Sequence, residues 1–95
     1  GLMIKSFKDK ESERIWRQLV STKLPITIQQ RAFDKLNILD ASIDLNDLSI
    51  PPSNRLEKMA GDRKGQYSIR INDQWRICFV WEDGDAFDVE IVDYH

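Results

Sequence analysis

The second half of the chain alternates apolar and polar residues with a period of two, and this pattern constrains the fold more than any other feature. Apolar residues occupy odd-numbered positions in three successive runs: Tyr67, Ile69 and Ile71; Trp75, Ile77, Phe79 and Trp81; and Phe87, Val89 and Ile91. Successive side chains of a strand point to opposite faces, so each run predicts a strand with one buried face. Turns predicted at residues 72–73 and 82–85 join these strands as antiparallel neighbours.

Two segments in the first half of the chain show the spacing of amphipathic helices. Apolar residues recurring every three to four positions predict one helix over about residues 9–20 and a second over about residues 26–41. Pro25, which lies between them, ends the first helix or follows its end. Two adjacent amphipathic helices predict a helical hairpin.

Shorter elements complete the predicted topology. Short strands are expected at residues 4–7 and 56–59, and the proline-containing residues 42–54 have the composition of a loop. A turn is expected at residues 61–65. This order predicts an α+β fold, in which two N-terminal helices pack on one face of an antiparallel sheet of three or four strands.

Length and composition favour a single folded domain that spans residues 1–95. The chain has 95 residues, of which 41% are hydrophobic and 32% charged, enough for one core and too few for two. No apolar run approaches the roughly 18 residues that cross a bilayer, and the lone Cys78 is predicted to be a buried core thiol. We therefore expect a cytoplasmic protein without a membrane segment. Gly1 and Leu2 precede Met3, and we expect them to be additions before the native start.

Charge is distributed unevenly along the chain, although the net charge is only −2. Residues 55–76 carry six Lys or Arg against three Asp or Glu, a local balance of +3, whereas residues 77–95 carry six acids and no Lys or Arg. Such a chain could present a basic cleft to RNA beside an acidic flank. The alternative is a polarised domain whose charges only keep it soluble.

The strand alternation also predicts which polar side chains share a face. If the odd-numbered apolar residues face the helices, then Arg70, Arg76 and Tyr94 project from the opposite face of the sheet. Two arginines and a tyrosine on one surface suit a nucleic-acid site. Residue period alone favours the alternative, a solvated outer face.

Several short motifs at characteristic separations give the sequence a resemblance to one known family. They are Met3-Ile4-Lys5-Ser6-Phe7, Leu39-Asp40-Ala41, Asn54-Arg55-Leu56, Gly61-Asp62-Arg63-Lys64-Gly65, Tyr67-Ser68-Ile69-Arg70-Ile71, Trp75-Arg76-Ile77-Cys78-Phe79 and Val89-Glu90-Ile91-Val92-Asp93-Tyr94-His95. Together these motifs resemble the HigB branch of the RelE superfamily, the plasmid maintenance killer protein group. The resemblance covers essentially the whole chain from Met3 onward.

This resemblance implies a toxin of a toxin–antitoxin system with a microbial-RNase-like fold. Such a toxin is an endoribonuclease, an mRNA interferase that enters the ribosomal A site, cleaves the codon there and stops translation. The implied partners are the ribosome with its mRNA and a HigA-like helix-turn-helix antitoxin, with operator DNA bound only through the antitoxin complex. The family implies no metal and no cofactor.

RNA cleavage by an adjacent 2′-hydroxyl calls for a base, an acid and a cation at the phosphoryl oxygens. By resemblance, Asp93, Tyr94 and His95 form the carboxy-terminal part of the catalytic site. His95 suits proton transfer near neutral pH, unless it is a disordered terminal residue. Tyr94 would stack on a base or hold the 2′-hydroxyl, and Asp93 would orient His95 or act as the base.

Arg76 is the predicted cation for the scissile phosphate, because its planar guanidinium matches phosphate oxygens. Its alternative role is a structural partner for the acidic end of the chain. Glu57 aligns with a histidine of some family members and is either a catalytic base or an exposed strand residue. The candidates for contacts to the RNA backbone are Arg55, Lys58, Arg63, Lys64 and Arg70.

Two other functions are compatible with the same superfamily. ParE-like members bind DNA gyrase without cleaving RNA, so the fold alone does not decide the activity. A domain that only binds an antitoxin is the third possibility, which Glu57 and the acidic balance favour slightly. The Asp93-Tyr94-His95 ending favours the nuclease.

Overall fold

The structure, a computed structural model, describes residues 3–94 and confirms the α+β prediction. The helices and strands are α1 (Lys10–Trp16), α2 (Ile26–Ala41), β1 (Glu57–Lys58), β2 (Tyr67–Arg70), β3 (Trp75–Glu82) and β4 (Asp85–Asp93). The four strands form one sheet in the order β1-β2-β3-β4, and each neighbouring pair is antiparallel. None of the helices within residues 3–94 is long and apolar enough to cross a membrane.

Helix α1 begins as the sequence predicts but ends earlier. Asp9 caps it, its carboxylate accepting a hydrogen bond from the backbone nitrogen of Ser12 at 2.7 Å. The predicted extension to residue 20 is wrong, because Gln18 adopts a left-handed φ of 59° and turns the chain away from the helix axis. Val20, which lies at the end of the predicted helix, is consequently 60% exposed.

Helix α2 has the predicted bounds and supplies much of the core. Its buried residues, Ile28, Ala32, Leu36 and Leu39, recur every three to four positions as the sequence pattern required. They belong to one apolar cluster with residues of β2, β3 and β4, which fills the space between the helices and one face of the sheet. The predicted loop at 42–54 contains two short 3-10 turns, Leu45–Ser49 and Pro52–Asn54.

The strand predicted at residues 4–7 is not a regular strand. It makes two isolated parallel bridges to β4, Ile4 with Ala86 and Phe7 with Val89. The backbone nitrogen of Lys5 donates to the oxygen of Ala86 at 2.8 Å, so the segment still covers the outer edge of β4. A regular ladder is interrupted because β4 itself carries a bulge between these two contacts.

The bulge corrects the predicted faces of the last strand. Cys78 pairs with Glu90 but Val80 pairs with Phe87, so β4 contains one residue more than β3 across this interval. Asp88 adopts a left-handed φ of 52° within the bulge. The prediction that Phe87, Val89 and Ile91 share one buried face is therefore wrong, since Ala86 takes the place of Phe87 in the core.

We expect Ser12→Ala to lower the free energy of unfolding by about 1–3 kcal/mol, because it leaves a buried backbone donor without a partner. The hydroxyl of Ser12, a residue only 1% exposed, accepts a hydrogen bond from the backbone nitrogen of Ile91 at 2.9 Å and ties α1 to β4. Urea denaturation measures the change.

The matched control is Ser49→Ala. The hydroxyl of Ser49 donates to the backbone oxygen of Asn46 in a solvent-accessible turn. Its effect should stay within about 0.5 kcal/mol. Equal losses from both variants would contradict the assigned role of Ser12.

Candidate active site

Arg76 occupies the middle of the sheet face that lies opposite the helices, which we call the outer face. Its side chain is only 7% exposed. Nε donates to the hydroxyl of Ser68 at 2.8 Å, and Nη2 donates to the backbone oxygens of Arg55 at 2.5 Å and of Ser68 at 3.4 Å. The centre of this face is therefore not the solvated surface that alternation alone allows.

One nitrogen of Arg76 remains available. Nη1 makes no hydrogen bond to any of residues 3–94. No buried side-chain nitrogen or oxygen in this part of the chain lacks a partner, so Nη1 reaches the surface. Residues 3–94 thus fix two nitrogens of the guanidinium and leave the third without a hydrogen bond from this part of the chain.

The backbone at Arg55 presents a carbonyl oxygen to the guanidinium of Arg76. Arg55 ends the 3-10 turn Pro52–Asn54 in the left-handed region, with φ 45° and ψ 58°, a conformation that is uncommon outside glycine. The preceding Asn54 is fully buried and donates from Nδ2 to the backbone oxygens of Leu48 and Ile50, each at 3.3 Å. These bonds hold the carbonyl that accepts from Arg76.

Tyr94 and Glu57 lie next to the guanidinium of Arg76. The ring centroid of Tyr94 is 5.6 Å from Cζ of Arg76, a cation–π distance, and the tyrosine is 43% exposed. An oxygen of Glu57 lies 3.9 Å from Nη2, and this carboxylate is about half exposed. The structure therefore brings together three of the predicted catalytic residues.

The other two predicted catalytic residues are placed differently. Asp93 pairs with Trp75 in the sheet and so lies on the helix-packed side, while Tyr94 and Arg76 are on the outer face. A carboxylate oxygen of Asp93 accepts a hydrogen bond from Gln74 at 3.1 Å. His95 lies outside the described residues.

The predicted RNA-contacting cations differ in how they are held. Arg63 bonds to Glu90 at 2.9 Å, and this hydrogen bond raises the pKa of the guanidinium. Arg70 forms an ion pair with Asp73. The side chains of the remaining three are exposed, namely Arg55, Lys58 and Lys64.

Three residues whose roles the sequence did not predict form hydrogen bonds to the cations of this region. Ser68, Asn54 and Glu90 bond to Arg76, Lys35 and Arg63 respectively. Alternation placed Ser68 on the face of Arg70, but only the pairing of Ser68 with Cys78 puts it beside Arg76. Asn54 belongs to a motif of the resemblance, but the sequence did not indicate its structural role, because its partners lie in a loop and in α2.

Cys78 is a buried thiol, as predicted, and burial raises its pKa. It lies on the outer face between Ser68 and Glu90. Among residues 3–94, no three His, Cys, Asp or Glu side chains gather in a way that could hold a metal ion.

Comparison with known proteins gives concordant matches. Residues 5–95 match the model of a family described as the RelE-like toxin of type II toxin–antitoxin system HigB. The chain is 45% identical over 85 residues to Toxin HigB-1 of Vibrio cholerae, covering 88% of this chain and 90% of that protein. It is 33% identical over 93 residues to Endoribonuclease HigB of Proteus vulgaris, covering 98% of this chain and all of that protein.

A structural comparison supports the fold. The chain aligns with a chain of the YoeB-YefM complex from Staphylococcus aureus at a TM-score of 0.59, over 100% of this chain and 98% of the other. The sequence identity of that pair is 21%, so the similarity concerns the architecture alone.

We expect Ser68→Ala to lower the free energy of unfolding by about 1–3 kcal/mol, because Nε of Arg76 loses its buried acceptor. In the double variant Ser68→Ala/Arg76→Met the two losses should not add, since both remove the same contact. Urea denaturation of the singles and the double gives the coupling, with Thr22→Ala at an exposed loop position as the control. Strict additivity would show that the bond contributes nothing.

Proposed function

The chain belongs to the family of RelE-like toxins of HigB type II toxin–antitoxin systems, and on that premise we propose that it is an endoribonuclease that cleaves mRNA on the ribosome. The nuclease is favoured over the gyrase-binding and binding-only alternatives because the Proteus vulgaris relative, alignable over nearly the whole chain, is named an endoribonuclease.

The observation that carries the proposal is the environment of Arg76. Burying a guanidinium is unfavourable unless its charge is compensated, and here its direct hydrogen-bond acceptors are uncharged oxygens of Ser68 and Arg55. The nearest ion-pair oxygen, on Glu57, is 3.9 Å away. A phosphate at Nη1 would supply the missing anion, and the locked side chain would meet it without reorganising.

The proposed reaction is cleavage of RNA by its own adjacent 2′-hydroxyl. A base removes the proton of the 2′-hydroxyl, the 2′-oxygen attacks the adjacent phosphorus, and the bond from phosphorus to the 5′-oxygen breaks. The products are a cyclic phosphate and a 5′-hydroxyl. Arg76 stabilises the negative charge that develops on the phosphoryl oxygens.

Glu57 is our candidate for the base, because its half-exposed carboxylate lies beside Arg76 on the same face. His95 is the candidate acid that protonates the leaving 5′-oxygen. Asp93, which lies on the helix-packed side, would act only by orienting His95. Tyr94 offers an exposed ring on which a splayed base could stack.

The proposed partners follow from the family and from the cations. A helix-turn-helix antitoxin would neutralise the toxin in the cytoplasm and carry the complex to operator DNA. The ribosome and A-site mRNA would meet the basic residues around the site, namely Arg55, Lys58, Arg63, Lys64 and Arg70. A phosphate at Arg63 would have to compete with Glu90.

Expression of the chain should arrest growth, and primer extension in a purified translation system should show mRNA cleavage only when ribosomes are present. Arg76→Lys should reduce cleavage by about 10²- to 10³-fold, because a lysine keeps the charge but cannot reproduce the fixed guanidinium. Lys10→Gln, a surface change on α1, serves as the control. Intact transcripts under strong induction would overturn the nuclease assignment.

Removal of Tyr94 and His95 should reduce cleavage by about 10²-fold or more, since positioned acid–base groups contribute about 10²–10⁴ in rate. The fold should survive, because the core residues of β4 precede the truncation. Single variants Tyr94→Ala and His95→Ala separate the two contributions, and thermal melting of each checks the fold. Near-normal cleavage by a folded truncation would remove the chain end from the site.

A further inference from the structure

Lys35 of α2 and Arg76 of β3 are held by two consecutive residues of the chain. Nζ of Lys35 donates to Oδ1 of Asn54, and Nη2 of Arg76 donates to the backbone oxygen of Arg55, each at 2.5 Å. Asn54 is fully buried, so this junction is well fixed. Two cations from different elements are thereby anchored by neighbouring residues of one turn.

Two further arginines extend this pair. Arg31 precedes Lys35 by four residues and therefore lies on the same side of α2. Arg70 is the direct cross-strand partner of Arg76. Burial lowers the pKa of Lys35, and the charges of Arg31 and Arg70 lower it further, so both act on its ammonium group. We call Arg31, Lys35, Arg70 and Arg76 the cation row.

Carboxylates near the cation row do not balance it. Asp34 favours the charged form of Lys35, but less than the other influences oppose it. Asp73 pairs with Arg70 through a side chain that is 97% exposed, and Glu57 lies beside Arg76. Within residues 3–94, neither Lys35 nor Arg31 forms an ion pair with a carboxylate. Like charges gathered in this way repel one another until an anion joins them.

We propose that Arg31 and Lys35, together with Arg70, form a binding site for the RNA backbone that takes the phosphate flanking the one held at Arg76. Neither Arg31 nor Lys35 lies in the basic segment 55–76, so the site joins α2 to the sheet. The inference rests on the proposed nuclease function, which places a phosphodiester at Arg76.

A polyanion with regularly repeated charges suits the cation row better than an acidic protein does. The row begins at Arg76, where the scissile phosphate would sit, and continues along the sheet edge to α2. A single RNA strand that leaves Arg76 carries its next charge one nucleotide on, and each neutralised phosphate releases counterions. The phosphodiester could belong to the mRNA or to ribosomal RNA, which share this chemistry.

The test measures binding as a function of salt, using a fluorescent single-stranded RNA whose 2′-hydroxyls are methylated and which therefore cannot be cleaved. The proteins are the wild type, Arg31→Gln, Lys35→Gln and Lys35→Arg, with Lys23→Gln in an exposed loop as the matched control. A second arm uses vacant ribosomes in place of the oligonucleotide. Thermal melting shows that each variant is folded.

We expect Arg31→Gln and Lys35→Gln to weaken binding by about fivefold or more and to reduce the slope of log affinity against log salt by about 0.7 each. Lys35→Arg should retain most of the affinity, and Lys23→Gln should behave as the wild type. Weaker binding of the variants to the oligonucleotide assigns the site to the mRNA strand. Weaker binding to ribosomes alone assigns it to ribosomal RNA. The pKa of Lys35, followed by NMR, should rise when the RNA binds.

Affinities and slopes equal to those of Lys23→Gln in both arms would overturn the proposal. Antitoxin binding by the same variants is measured in parallel. Its loss with unchanged RNA binding would also overturn the proposal and assign the row to a protein partner. Cleavage by the wild type is measured separately. If the wild type cleaves RNA but the Arg31 and Lys35 variants bind RNA normally, this inference alone is refuted. A chain that binds RNA through them without cleaving it would refute only the nuclease proposal.

Discussion

The burial of one guanidinium is the constraint on which the rest of the site depends. Arg76 sits in the central part of the sheet, where an uncompensated charge is unfavourable, and the surrounding chain supplies oxygens from a serine and a backbone turn. The left-handed conformation of Arg55, next to the buried Asn54, directs a backbone carbonyl at the arginine. The hydrogen bonds that offset the cost of burying Arg76 also fix the orientation of its guanidinium.

The fold and the site use opposite faces of the same strands. Odd-numbered residues of β2 and β3 fill the core against α2, while their even-numbered neighbours Ser68, Arg76 and Cys78 build the second, polar but equally buried layer. A central strand covered on both faces cannot change the register of one face without changing the other. Core packing therefore fixes which residues of β3 lie on the outer face, and the hydrogen bonds to Ser68 and Arg55 then fix the direction of the arginine.

Local periodicity predicted the helices and the three long strands, and short motifs predicted the family, because each of these depends on residues close together in sequence. Periodicity failed where a single residue adopts a left-handed conformation. Gln18 turns the chain away at the end of α1, and Asp88 lies in the bulge of β4 that places Ala86 instead of Phe87 in the core. In the candidate site, alternation placed Arg76 and Tyr94 on one face and the resemblance added Glu57, but the contacts among the three depend on the strand pairing. Ser68 and Asn54 escaped notice, since their roles arise from contacts with distant segments.

Within residues 3–94, neither edge of the sheet offers a long unpaired strand to another molecule. At one edge β1 is only two residues long, and at the other the backbone groups of β4 are occupied by residues 3–8 and by Ser12. Open edges promote aggregation, so a protein with this arrangement can reach high concentration without edge-to-edge polymerisation. An extended peptide can pair with the outer edge of β4 only if it displaces residues 3–8. This segment therefore competes with any partner that binds by adding a strand to the sheet.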